Sequence, residues 1–367
     1  MKRVFGIVLD SVGCGNAPDA EAYGDAGADT LGHLFERIPD FELPALASLG
    51  LDALLGRPIP ARGGASYCKL TETSAGKDTT TGHWELLGHP LDEAFATYDA
   101  FPADFLAELA NRCGCGFLGN RPASGTVILD ELGAAHIRTG KPILYTSADS
   151  VLQLAAHEET YGLERLWDIC KIARSLLDER GMRVGRVIAR PFIGSPEHGF
   201  RRTGNRHDYS LTPGETALNR LQTNGVRTIG VGKISDIFAG SGIEISHPTQ
   251  SNADGMRVLD ELVAAPAQIP TFTLANLVDF DALYGHRRDP EGYAACLRQF
   301  DAWLPGFLAK LRPDDLLLIT ADHGNDPYHP GTDHTREQVP LLALNLATPL
   351  QNAPFSKFAQ ITEKHFT

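Results

Sequence analysis

The residues best suited to chemistry lie near the C-terminus. There the apolar run Leu316-Leu317-Leu318-Ile319-Thr320-Ala321 leads directly into Asp322-His323-Gly324-Asn325-Asp326, and His334 follows eleven residues after His323. Carboxylate and imidazole together suit divalent cations, and a buried strand holds both rigidly. A second segment repeats the arrangement: the largely apolar Phe272 to Val278 is followed by Asp279 and Asp281, with His286 five residues beyond Asp281 in a glycine-containing loop. A further acid, Asp10, closes the run Val4 to Leu9. An isolated acid with a nearby histidine is more often a polar group of the surface or core than a ligand. Taken together, Asp10, Asp281, His286, Asp322, His323 and His334 offer enough oxygen and nitrogen donors for two hard-to-borderline divalent ions.

The segment Ser74-Ala75-Gly76-Lys77-Asp78-Thr79-Thr80-Thr81-Gly82-His83-Trp84-Glu85 places a cluster of hydroxyls where a helix should start. One reading is a capped first turn and nothing more. The other is a reactive hydroxyl at a helix N-terminus, where amides and the macrodipole favour an anion and a metal lowers the hydroxyl pKa, with Lys77 helping to hold phosphate.

These groups need elements to position them. Val4 to Leu9, Val226 to Val231, Phe272 to Val278 and Leu316 to Thr320 predict buried strands of a sheet covered on both faces. Between the last two, Tyr293, Cys296, Leu297, Phe300, Trp303, Leu304, Phe307, Leu308 and Leu311 recur at helical steps and predict one long amphipathic helix. Alternating strands and helices predict an α/β core, in which ligands gather beyond the carboxyl ends of the strands, where Asp10, Asp281 and Asp322 would meet. From residue 93 to 210 the pattern changes. A helix through Leu163, Leu166, Trp167, Cys170, Ala173 and Leu177, with candidate strands at Pro142–Tyr145 and Val184–Ile188, predicts a smaller α+β domain, read as a cap over the site. The expected division is 1–92 with 211–367 as the core, and 93–210 as the insert.

The 367 residues carry 33 Lys+Arg against 46 Asp+Glu, a net charge of −13 that opposes non-specific binding to nucleic acid or anionic membranes. Neither is expected as a partner, and a phosphorylated ligand needs local basic residues. The 43% hydrophobic content supports a real core, and no apolar run approaches the roughly 18 residues of a membrane span. The N-terminus is too short and too acidic at its end for a signal peptide, so a cytoplasmic location is expected. Of the six cysteines only Cys113 and Cys115 are close, and their spacing reads as reduced thiols, not a zinc site.

Several motifs, in chain order and spanning nearly the whole sequence, carry a family resemblance. They are Asp-Ser-Val-Gly at 10 to 13, Ala-Pro-Asp at 17 to 19, Gly-Lys-Asp-Thr-x-Thr-Gly-His-Trp-Glu at 76 to 85, Tyr-Thr-Ser-Ala-Asp-Ser-Val at 145 to 151, Asn-Arg-His-Asp-Tyr at 205 to 209, Gly-Lys-Ile-Ser-Asp-Ile-Phe at 232 to 238, Asp-Phe-Asp-x-x-Tyr-Gly-His-Arg-Arg-Asp at 279 to 289 and Thr-Ala-Asp-His-Gly-Asn-Asp at 320 to 326. Together they closely resemble the bacterial phosphopentomutases of the alkaline phosphatase superfamily. The Asp-His-Gly element points only to the superfamily, whereas the Gly-Lys-Asp-Thr and Tyr-Gly-His-Arg-Arg elements are specific to the mutases.

The resemblance implies an alkaline-phosphatase-like α/β core with an inserted α+β cap, and a site holding two Mn2+ ions. Thr79 matches the threonine that carries the phosphoryl group. Asp10, Asp322 and His323 match the ligands of the metal beside it, and Asp281, His286 and His334 those of the other. On the insert, Ser147, Asp149, Arg186 and Ile188 match contacts to the sugar phosphate, with Lys233 on the core side and Arg201, or its neighbour Arg202, as a further phosphate contact. The implied reaction interconverts ribose 1-phosphate and ribose 5-phosphate, and the 2-deoxyribose equivalents, with a sugar bisphosphate as activator. Small pentose phosphates are the implied partners, with no obligatory protein partner. Two positions depart from the pattern: Thr80 stands where relatives often have Met, and Val127 where Glu is expected, a change that could touch cap packing or a sugar contact. The competing readings are a phosphoglycerate mutase or phosphatase with the same metal set, and a non-catalytic sugar-phosphate binding protein.

Overall fold

The computed structural model describes residues 1–57, 61–147 and 150–367. Fourteen strands form two sheets among these residues: β1 Arg3–Leu9, β2 Ala65–Thr71, β3 Leu118–Pro122, β4 Ile143–Thr146, β5 Val151–His157, β6 Arg186–Ser195, β7 Gly199–Arg202, β8 His207–Ser210, β9 Arg227–Val231, β10 Ile245–His247, β11 Thr271–Leu277, β12 Asp315–Thr320, β13 Val339–Leu344 and β14 Ala353–Pro354. The chain divides into two compact units, Met1–Ala94 with Pro213–Thr367, and Phe95–Thr212.

The larger unit is built on an eight-stranded sheet in the order β10-β9-β11-β1-β12-β13-β2-β14. The first five strands of that order run parallel, and β13 turns antiparallel to β12. Every residue of β1 and β12 is buried, as expected where helices cover both faces of a parallel sheet. Alternation along β1 shows the two coverings. Phe5 meets Phe307 of the long helix Pro290–Leu308 edge-on at 5.6 Å. Gly6 points the other way, where a Cβ would lie 2.7 Å from the ring of Phe358 on the helix Lys357–Phe366. The absent side chain is what lets that helix approach. At the opening of the sheet Arg3 and Asp315, opposite each other in register, form a buried bidentate pair at 2.8 and 2.5 Å, and Arg3 also donates to the Val263 carbonyl at 2.9 Å. Desolvation offsets much of the attraction in a buried pair of this kind, so its net contribution to stability is small. The predicted long helix ends at Leu308, and Leu311 lies just past it. Among the described residues no helix is long and apolar enough to cross a membrane.

The smaller unit has a six-stranded mixed sheet, β3-β4-β5-β6-β7 with β8 against β6. The helix Leu163–Glu179 packs Leu166, Ile169, Cys170, Ala173 and Leu177 onto Val187 and Ala189 of β6 and Leu152 and Leu154 of β5. Ile128 and Leu129 of the helix Gly125–Thr139 cover Ile143, Tyr145, Ala155 and Phe192 on the other face. Val127 sits in the first turn of that helix, its amide 3.4 Å from the capping Ser124 hydroxyl, and is 50% exposed, so it takes no part in core packing. All six cysteines are free thiols.

Two histidines are structural parts of this core. His136 donates from Nδ1 to the Lys141 carbonyl at 2.7 Å and accepts the His157 amide at Nε2 at 2.9 Å. It must be neutral to do both. Burial, with His157 as a smaller contributor, holds its pKa below the ordinary 6.5. The unfolded chain therefore takes up this proton first, so the stability that neutral His136 supports is present above pH 6.5 and is lost as pH falls through the lower folded value. We expect chemical denaturation to show falling stability between pH 7.5 and pH 5, with a shallower dependence in His136→Leu; an unchanged slope in that variant would remove His136 as the cause.

Candidate metal centre

The order β11-β1-β12 puts the carboxyl ends of three neighbouring parallel strands side by side. Asp10 follows β1 immediately, Asp322 and His323 follow β12 after one residue, and Asp281 follows β11 inside a single π-helical turn, Phe280–Gly285, that ends at His286. π-helical turns are rare and concentrate at functional sites. His334 arrives from the loop before β13. The result is two groups, Asp10 with Asp322 and His323, and Asp281 with His286 and His334; within each the facing atoms lie within 4.8 Å of one another. The rings of His323 and His334 stack at 3.9 Å between centroids, so the two groups are adjacent.

Each group is held at one atom and presented at another. One oxygen of every carboxylate takes a protein donor: Asp10 Oδ2 from Asn276 Nδ2 at 3.0 Å, Asp322 Oδ1 from the Ser11 amide at 3.1 Å, Asp281 Oδ1 from Asn325 Nδ2 at 2.7 Å. The other oxygen faces a histidine Nε2: Asp10 Oδ1 and Asp322 Oδ2 each lie 3.4 Å from His323, and Asp281 Oδ2 lies 3.1 Å from His286. All three imidazoles bind a backbone carbonyl through Nδ1, His323 that of Gly324 at 3.0 Å, His286 that of Thr332 at 2.7 Å and His334 that of Lys77 at 3.0 Å. This fixes Nε2 as the atom turned inward, the arrangement that orients metal-ligating histidines.

The inward atoms fit a cation. Asp10 Oδ1 and Asp322 Oδ2 are buried without a hydrogen-bond partner, and the Nε2 atoms of His286 and His334 face each other at 3.1 Å, which two lone pairs cannot do unaided. Electrostatics agree. Burial, followed by the charge of Asp322, raises the pKa of Asp10. Burial works against charging His323, but Asp322, Asp10 and Asp281 outweigh it and push the imidazole well above its usual range. Burial also opposes ionisation of Asp281, and hydrogen bonds with His286 and His334 overcome it and depress the carboxyl. A buried carboxylate-rich group that captures a proton is one that a divalent ion satisfies better. The donor set of carboxylate and imidazole suits manganese or zinc.

Thr79 opens the helix Thr79–Leu86, whose N-terminus Asp78 caps by accepting the amides of Thr80 at 3.0 Å and Thr81 at 3.1 Å. Its hydroxyl lies 3.1 Å from His323 Nε2, at the first group of donors. Thr81 is different: its hydroxyl donates to Asp78 at 2.5 Å. Lys77, expected at the phosphate, is instead paired with Asp25 at 2.9 Å and Asp333 at 3.3 Å.

The remaining predicted contacts are spread over both units. Ser147 follows β4, and Arg186 and Ile188 share one face of β6 by strand alternation. Asp149 lies outside the described residues. Arg201 pairs with Ile193 and so belongs to the opposite face of β6, whereas Arg202 pairs with Phe192, lies on the face of Arg186 and donates to the Tyr145 hydroxyl at 3.0 Å. Strand parity thus separates the adjacent arginines. Lys233 is exposed before the helical turn Ile234–Ile237 of the larger unit.

Several supporting residues escaped the sequence reading. Asn276 and Asn325 hold carboxylates, and buried His83 donates from Nδ1 to the Thr79 carbonyl at 2.8 Å with Asp322 Oδ2 3.1 Å from the same nitrogen. Ser11 sits at φ 71°, a left-handed conformation costly for a non-glycine residue, and in it the Ser11 amide reaches Asp322 while its carbonyl accepts the Asn325 amide. Ser11, His83 and Asn325 lie within the quoted motifs, and Asn276 lies close before Asp279 and Asp281, but nothing in the sequence assigned them these contacts.

Gly82 packs the threonine helix against the strand end, for a Cβ there would stand 2.0 Å from the Asp322 carbonyl oxygen. Gly82→Ala should therefore push the helix and Asp322 apart, costing about 1–3 kcal/mol of stability and weakening cation binding at the Asp10 group. Thermal unfolding and manganese titration check this; wild-type values in both would show that the helix shifts freely.

The chain matches the family model described as Metalloenzyme superfamily over residues 2–364. It is 54% identical over 348 residues to a Symbiobacterium thermophilum protein named phosphopentomutase, covering 93% of this chain and 88% of that one. Its fold is similar to that of the PH0037 protein from Pyrococcus horikoshii, with a TM-score of 0.52 at 14% identity over 99% of this chain and 96% of the other. The chain belongs to the metalloenzyme superfamily and, within it, to the phosphopentomutase family.

Proposed function

We propose that the protein interconverts ribose 1-phosphate and ribose 5-phosphate, and their 2-deoxyribose equivalents, through a phosphorylated Thr79 and a sugar 1,5-bisphosphate. The observation that carries this reading is the Thr79 hydroxyl at a helix start, 3.1 Å from His323 Nε2 and beside two groups of inward-facing donors. Asp10, Asp322 and His323 would hold one divalent ion and Asp281, His286 and His334 the other, with manganese the proposed metal; bound there, the ions would neutralise charge on the phosphoryl group in transfer.

The chain's own residues supply the rest. Phosphorylated Thr79 gives its phosphoryl group to the C1 hydroxyl of ribose 5-phosphate: the bond from phosphorus to the threonine oxygen breaks, the bond to O1 forms, and the proton lost at O1 balances the one Thr79 regains. The 5-phosphoryl group of the bisphosphate then passes to Thr79 and leaves ribose 1-phosphate. Phosphorylated enzyme is regenerated, so only the first turnover needs a donor, for which a sugar bisphosphate is proposed. Asp78 fixes the helix start and His83 the Thr79 carbonyl, so the nucleophile is oriented before substrate binds. Arg186, with Arg202 on its face of the sheet, is proposed to hold the phosphate that is not reacting, and Ile188 on that face to contact the sugar phosphate. Ser147, Asp149, Arg201 and Lys233 enter the proposal through the resemblance alone. Free pentose phosphates in the cytoplasm are the proposed partners.

A coupled assay with ribose 1-phosphate and manganese, run beside 3-phosphoglycerate and an aryl phosphate, tests the substrate class. Turnover confined to the pentose phosphate is expected, and comparable turnover of 3-phosphoglycerate would refute it. Thr79→Val should reduce activity to below about a thousandth of wild type while leaving manganese content unchanged. Near-normal activity in that variant would move the phosphoryl group to Thr80 or Thr81.

A further inference from the structure

The Asp281 group is assembled from segments remote in sequence: the turn carrying Asp281 and His286, and the loop carrying His334. Arg288 joins them. Its guanidinium donates through Nη1 to the Gly285 carbonyl at 2.9 Å, beside His286, through Nε to the Gly331 carbonyl at 2.6 Å and through Nη2 to the Asp333 carbonyl at 2.8 Å, beside His334. The intervening carbonyl, Thr332, accepts His286 Nδ1 at 2.7 Å. Three consecutive carbonyls of the His334 loop therefore point at the His286 turn, and two of them end on one side chain.

Arg288 Nη1 also donates to Asn325 Oδ1. That contact settles the orientation of the amide, since Oδ1 is the acceptor and Nδ2 must be the donor, and Nδ2 reaches Asp281 Oδ1 at 2.7 Å. Asp281 Oδ2 is left facing His286 Nε2. Gly285 leaves the space that this amide occupies, because a Cβ there would lie 2.8 Å from Asn325 Nδ2. Arg288 itself adopts φ 53°, a left-handed conformation that a non-glycine residue takes at a cost, so the surrounding contacts maintain it.

We propose that Arg288 and Asn325 are positioning residues that assemble the Asp281–His286–His334 site, so that its cation affinity depends on them while the geometry of the Asp10–Asp322–His323 site does not. The inference rests on the two-cation reading above. A guanidinium beside a cation site repels the cation, so its contribution is geometric: a planar fork that serves acceptors on two loops at once. A lysine keeps the charge and cannot reproduce the fork.

The test equilibrates full-length holoenzyme with graded free Mn2+ and counts ions per chain by elemental analysis, with electron paramagnetic resonance reporting spin coupling between paired ions. In Arg288→Lys and in Asn325→Ala one ion should bind roughly 10–100-fold more weakly while the other keeps its wild-type affinity, and the coupled spectrum should give way to that of an isolated ion over the intervening range. Arg287→Met, an exposed neighbour, serves as control and should behave as wild type. Circular dichroism verifies folding of each variant. Two ions at wild-type affinity in Arg288→Lys, or equal weakening of both ions in folded protein, would overturn the proposal. If wild-type protein itself binds fewer than two ions, the two-cation reading fails instead, and the relay with it.

Discussion

Buried carboxylates at adjacent strand ends are the constraint around which this protein is organised. The pairing of β11, β1 and β12 brings Asp281, Asp10 and Asp322 to one edge of the sheet, and Asp10 and Asp322 are nearly inaccessible to water. Ionised carboxylates in such a place are costly unless every oxygen has a partner. The surrounding residues answer half of that demand, giving one oxygen of each acid an amide donor and leaving the other directed at imidazole nitrogens. The unanswered half selects for a divalent ion, and it is what makes the edge of the sheet chemically useful.

Other features follow from keeping those atoms in place. The three imidazoles point inward because each has its second nitrogen on a carbonyl. The left-handed Ser11 delivers an amide to Asp322 that an extended residue could not. Nearby, the buried carboxylate of Glu337 accepts from the Thr30 amide and hydroxyl at 2.9 and 2.7 Å and from the Thr335 hydroxyl at 2.7 Å. Both threonine oxygens in turn accept amides of the loop after His323, from Asn325 at 3.2 Å and Asp326 at 3.1 Å. Room for Glu337 depends on Gly13 and Gly324, where a Cβ would meet its carboxylate at 2.2 and 2.4 Å. Burial pushes its pKa up to about 7.

Much of this was legible in the amino-acid order. The apolar runs of β1, β9, β11 and β12 announced buried parallel strands, and the helical spacing from Tyr293 onward announced the helix that covers one face. The acids at the ends of these runs could be picked out because a charged residue directly after a buried strand has few places to go. Less could be read where the partner is distant. Lys77 lies two residues from Thr79 and looked like a phosphate ligand, yet Asp25 and Asp333 claim it. Arg201 and Arg202 are indistinguishable by composition, and only the register of β7 against β6 assigns them to different faces.

The sequence by itself determined the α/β alternation, the identity of the donor residues and their attachment to strand ends, because hydrophobic periodicity and side-chain chemistry are local properties of the chain. The tertiary structure alone decided which oxygen of each carboxylate is held and which is presented, and which nitrogen each histidine turns inward. Those outcomes depend on hydrogen bonds between residues such as Asn325 and Asp281, 44 positions apart, or Ser11 and Asp322, 311 apart. No local pattern encodes such pairings, because they exist only once the strands have found their register.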